Sequence, residues 1–162
     1  MATEPTSTTP RLDEELAPRL RLAIVRTARR LRQEAGSDMG PSQTAALATI
    51  ERHGPLAPSE LAERERIKRP TATRILGHLE RAGLVERVRD PEDGRSSILS
   101  VTTAGRMLLR RMRARKTAYL AHRFRDLSPD DLAALERAAE VLERMLEQDP
   151  AAEPRARRGE RR

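Results

Sequence analysis

Residues 84–101 constrain the chain most. "LVERVR" alternates apolar and polar residues, "DPEDGR" carries the Asp-Gly turn signal, and "SSILSV" returns. Alternation before such a turn and a return strand after it predict a β-hairpin. Directly before it, "RPTATRILGHLERAG" places Ala72, Ile75, Leu76 and Leu79 on one stripe of a helix that Gly83 ends.

The flanks extend the pattern. "LAPSELAERERI" predicts a short helix with Pro58 in its first turn, so it and the next helix form a helix-turn-helix candidate, with the turn near residues 65–68. Upstream, Pro41-Ser42 opens a helix that His53-Gly54-Pro55 closes. Leu12, Leu16, Leu20, Ala23, Ile24, Thr27 and Leu31 recur at helical spacing, and Pro18 marks either the start of the regular part or a kink. Downstream, Thr102 or Thr103 caps a helix whose apolar side is Met107, Leu108, Met112, Tyr119 and Leu120. Ser128, Pro129 and Asp131 open a last helix, striped by Leu132, Leu135, Ala139, Leu142 and Leu146. The predicted order is α-α-α-α-β-β-α-α. This is a mainly α chain with a small β-hairpin: a winged helix-turn-helix lobe (41–102) joined to a helical dimerisation domain (12–36 and 103–147). Residues 1–11 read as a disordered N-terminus and 148–162 as a basic disordered tail. Terminal leucine stripes that find no partner within one lobe predict a homodimer.

Composition narrows the chemistry. The 162 residues carry a net charge of +7, with 30 Arg against 2 Lys, which favours a polyanionic partner. Tyr119 and Phe124 are the only aromatics, too few for stacking single-stranded bases. Without cysteine, disulfides and thiolate metal sites are excluded, and His53, His78 and His122 are too scattered for a metal cluster. No nucleophile elbow or phosphate-binding glycine loop is present, so neither catalysis nor a cofactor is expected. The N-terminus lacks a signal-peptide pattern and no stretch has membrane-spanning length, so the expected location is cytoplasmic.

The helix-turn-helix supplies the candidate binding residues. The outer face of the second helix shows Arg69, Thr71, Thr73, Arg74, Gly77, His78 and Arg81. Thr71 and Thr73 suit phosphate oxygens or a thymine methyl, Arg74 suits guanine O6 and N7, and His78 follows one turn on. Arg64, Arg66, Lys68, Arg69 and Arg74 outnumber Glu65, an excess suited to phosphate docking.

From Leu61 through Gly105 the sequence resembles the MarR family of winged-helix transcriptional regulators. "RILGHLERAGLVER" is similar to its recognition helix and first wing strand, "RDPEDGR" to its wing motif, and "VTTAG" to the opening of the next helix. The resemblance implies a homodimer on a pseudo-palindromic operator in double-stranded DNA, acting as a repressor. It puts Arg95 at the minor groove or flanking backbone, with Asp93 as wing support. It also implies a small-molecule effector, anionic or lipophilic, bound between the dimer and DNA lobes. Without thiols and with few aromatics, any pocket here would be aliphatic with arginine. An architectural or low-specificity DNA-binding protein is the alternative. In this chain Lys68 and Arg69 replace the usual helix-capping residues, and Glu65-Arg66 replaces a turn that often holds glycine.

Overall fold

The computed structural model describes residues 10–89 and 97–147, with side chains from Glu14 onward. The order is α1 (Pro10–Glu34), α2 (Pro41–His53), α3 (Pro58–Arg64), α4 (Arg69–Arg81), β1 (Val85–Arg89), β2 (Ser97–Val101), α5 (Thr103–Phe124) and α6 (Pro129–Glu147). It matches the predicted succession element by element. The strands pair antiparallel, with Val85 opposite Val101 and Arg87 opposite Leu99.

Local chemistry explains most of the boundaries. Pro residues stand in the first turn of α2, α3 and α4, where a missing N–H is harmless. The Gln43 and Glu60 side chains turn back to accept from the N–H groups of Gly40 and Ala57. The Thr102 hydroxyl caps α5 by accepting from Gly105 N at 3.1 Å and donates to Gly83 O at 2.7 Å. Ser128 and Asp131 form the expected cap on α6. Helices α3 and α4 end alike: Ile67 N bonds Ala62 O and Leu84 N bonds Leu79 O, while Arg66 N bonds Glu63 O and Gly83 N bonds Glu80 O. Both ends need one left-handed residue. Gly83 (φ 67°) supplies it at α4, and Arg66 (φ 51°) supplies it at α3.

The core lies in the middle of the chain. Leu47, Ile50, Leu61, Leu76, Leu79 and Leu99 are fully buried and pack with Leu56, Leu84, Val85 and Leu109. Leu56 pairs with Leu99 as an isolated bridge, which joins the α2–α3 connection to the hairpin.

Two expectations change. Pro18 does not open the first helix, because α1 runs through it from Pro10. On α5, Met107 is 54% exposed whereas Leu109 is 3% exposed. At about 100° per residue, Leu109 shares a face with Gly105 and Met112, while Met107 lies opposite.

Helices α1 and α6 are different in kind. From Glu14 onward no residue of α1, and none of α6, is fully buried, and Leu16, Ile24, Val25, Leu135, Val141 and Leu146 are exposed. The main contact of α1 with the body is through α5. There, Arg115 Nη1 donates to Gly36 O at 3.0 Å and Ala35 O at 3.3 Å, closing the end of α1. Among the described residues, no helix is long and apolar enough to cross a membrane.

Candidate nucleic-acid interface

The buried stripe of α4 (Ala72, Ile75, Leu76, Leu79) fixes which residues face out. Arg74, Gly77 and Arg81 follow at i, i+3 and i+7 along the centre of the opposite face. Thr71 and His78 flank them on one side and Thr73 on the other. Arg69, Thr73, Arg74 and His78 are exposed and Thr71 is half-buried. The predicted α4 residues therefore share one solvent-facing surface. Asp93 and Arg95 lie outside the described residues.

Hydrogen bonds set what each side chain can still do. The Thr73 hydroxyl donates to Arg69 O at 3.0 Å, leaving its lone pairs to accept. An Arg81 guanidinium nitrogen sits 3.0 Å from His78 Nδ1. Guanidinium only donates, so Nδ1 accepts and the ring presents Nε2–H. Arg74 is exposed, and its fork has no hydrogen-bond or ion-pair partner among the described residues.

The start of α4 is electrostatically unusual. Lys68 is its N-cap and Arg69 its first residue, with no side-chain cap and no acid in the first turn. Cations at the positive end of a helix dipole are locally unfavourable, so an anion there gains from both. The turn before it is anchored from α2, where the Thr49 hydroxyl donates to the Glu65 carboxylate.

The hairpin is braced against α4. Arg87 Nε donates to Glu80 at 2.9 Å and Arg87 Nη1 donates to Ser97 Oγ at 3.0 Å. One guanidinium thus spans α4, β1 and β2. Spacing alone did not reveal this contact, because Glu80 and Arg87 belong to different elements. Among the described residues, no group of three or more His, Cys, Asp or Glu could hold a metal ion.

A cavity of about 640 Å³ opens between the end of α1, α2 and α5. Leu31, Met39 and Met112 give it apolar walls, and Arg32 and Lys116 stand at its edge. Arg113 of α5 also pairs with Glu51 of α2 beside this junction. His53, at the end of α2, is held below its ordinary pKa first by burial and then by Arg64 and Arg52.

A helix-turn-helix whose second helix is exposed along one polar face and followed by a braced hairpin is a winged-helix DNA-binding module. The sequence pattern of the MarR family matches residues 40–97. The chain is 34% identical over 139 residues to an uncharacterized HTH-type transcriptional regulator, ML2140, of Mycobacterium leprae, covering 85% of this chain and 97% of that one. It superposes on the crystal structure of a transcriptional regulator protein from Pseudomonas aeruginosa PA01 with a TM-score of 0.75 at 35% identity, covering 82% of this chain and 94% of that one. Streptococcus pneumoniae FabT, solved in complex with DNA, aligns with a TM-score of 0.58 at 26% identity over 85% of this chain and 96% of its own. The chain belongs to the MarR family. It is a DNA-binding transcriptional regulator and not an enzyme.

Proposed function

We propose that this regulator is a ligand-responsive repressor that binds a pseudo-palindromic operator as a homodimer in the cytoplasm. The observation that carries the reading is the uncommitted outer face of α4, mounted on a stripe of four buried residues. In this reading α4 enters the major groove. Arg74 takes guanine O6 and N7, while Thr71, Thr73 and His78 complete the base and phosphate contacts. Lys68 and Arg69 bind phosphate at the start of the helix. Arg95 reaches the minor groove or flanking backbone from the wing, with Asp93 supporting it.

The same reading assigns 41–102 to the DNA lobe and 12–36 and 103–147 to the dimerisation domain. The exposed apolar faces of α1 and α6 support the dimer, since nothing among the described residues covers them. Two α4 helices must meet successive major-groove faces about 34 Å apart. The cavity between α1, α2 and α5 suits an effector with an aliphatic body and an anionic end. An effector that prefers a dimer with wrongly spaced α4 helices weakens DNA binding by mass action.

Selection of bound duplexes from random DNA tests this directly. The expected product is a two-fold related pair of half-sites. Titration against random duplex at one salt concentration should then give a large specificity ratio. A ratio near one would instead establish an architectural, low-specificity DNA binder.

A further inference from the structure

Gly77 stands at the centre of the outer face of α4, between Arg74 and Arg81. Glycine in a helix interior lowers helix stability, so its presence there calls for a reason. Among the described residues the fold supplies none. Gly77 is not among the residues with a left-handed backbone. A Cβ built on it meets only Arg81 Nη1, at 3.9 Å, an ordinary contact with the mobile end of a side chain. Gly105 shows the contrast: its Cβ would lie 2.3 Å from Leu84 O. Packing demands glycine at 105 and not at 77.

What remains is a partner that comes close to the α4 backbone. We propose that Gly77 is a specificity-determining residue, left without a side chain so that α4 can seat against base-pair edges on the floor of the major groove. The inference rests on the reading that this face contacts DNA. A Cβ at 77 would hold the helix off by roughly one carbon–carbon bond, about 1.5 Å. Arg74 must keep both donors within about 2.7–3.2 Å of guanine to read it. A displacement of that size breaks such a contact, while phosphate attraction falls off slowly with distance. Gly77 thus sets the depth at which Arg74 works.

The test is a comparison of Gly77→Ala, Gly77→Ser and Arg74→Ala in the full chain. Binding to the selected operator and to random duplex is measured at one salt concentration, with thermal melts alongside. Gly77→Ala is expected to raise Tm by a few degrees, as an improved helix former does. It should weaken operator binding at least about tenfold, the range of one lost bidentate contact, and leave random-duplex binding within about twofold. Gly77→Ser should behave in the same direction. Unchanged operator binding by both Gly77 variants, with Arg74→Ala weakened, would overturn the depth role and leave the DNA-facing assignment intact. Unchanged binding by Arg74→Ala as well would overturn the assignment and the inference together. A lowered Tm in Gly77→Ala would show that the fold itself requires the glycine, and would also overturn it.

Discussion

Leu56 and Leu99 exchange both of their backbone hydrogen bonds, Leu56 N to Leu99 O at 3.2 Å and Leu99 N to Leu56 O at 2.8 Å. Both side chains are buried. An isolated two-stranded hairpin is marginal in water. This pair gives the hairpin a third strand-like neighbour and seats its return strand in the core.

Leu99→Ala should therefore destabilise the protein by about 2–5 kcal/mol, the range for truncating a fully buried leucine. Urea unfolding monitored by circular dichroism checks it. A loss below about 1 kcal/mol would show that the wing base is not part of the cooperative core.

Arg74→Ala should cost about 1–3 kcal/mol on operator DNA and relax base preference at one position. Arg95→Ala should weaken binding while leaving the major-groove preference unchanged. Repeating the sequence selection with each variant separates the two effects. Wild-type binding by both variants would refute the assignment of these residues.

The backbone part of Arg66→Gly should favour the fold by about 0.5–1 kcal/mol, set against the loss of the Arg66 side-chain interaction. A left-handed conformation costs an L-residue about 1–2 kcal/mol, partly offset by the greater chain entropy of glycine. Chemical denaturation measures this. A destabilised variant would mean that the Arg66 side chain contributes more to the turn than its backbone strain removes.

Tyr119 lies between Arg30 and Arg123, whose guanidinium carbons stand 5.6 and 5.4 Å from the ring centroid. Its phenol is held below the ordinary value of 10.0, first by the hydrogen bond from Arg123. The folded state then favours phenolate, so the stabilisation is absent at neutral pH and appears as pH rises through the lowered value. The chain has one tyrosine and no tryptophan, so ultraviolet absorbance follows this group alone. Arg123→Gln should move the titration back up.

Much of the architecture was legible because local chemistry and periodicity agree along the chain. Thr102, Ser128 and Gly83 each mark a boundary by a mechanism that acts within four residues. The outer face of α4 was legible for the same reason, since its buried stripe fixes its exposed one. What was not legible depends on distant pairs. The bridge between Leu56 and Leu99, the Glu65 anchor on Thr49 and the Arg87 brace on Glu80 all join separate elements. On α5, basic residues surround the helix and leave a weak stripe, so Met107 was assigned to the face that Leu109 occupies.

Gly105 carries a mechanical implication. Its missing side chain lets α5 press directly on Leu84 O, immediately after α4, and Thr102 clasps Gly83 O at the same spot. The joint has no room for play. Ten residues along α5 from this joint, Arg115 holds the end of α1. One helix thus ties the end of α1 to the end of α4, so in the proposed reading the seating of α4 on DNA depends on where α1 sits.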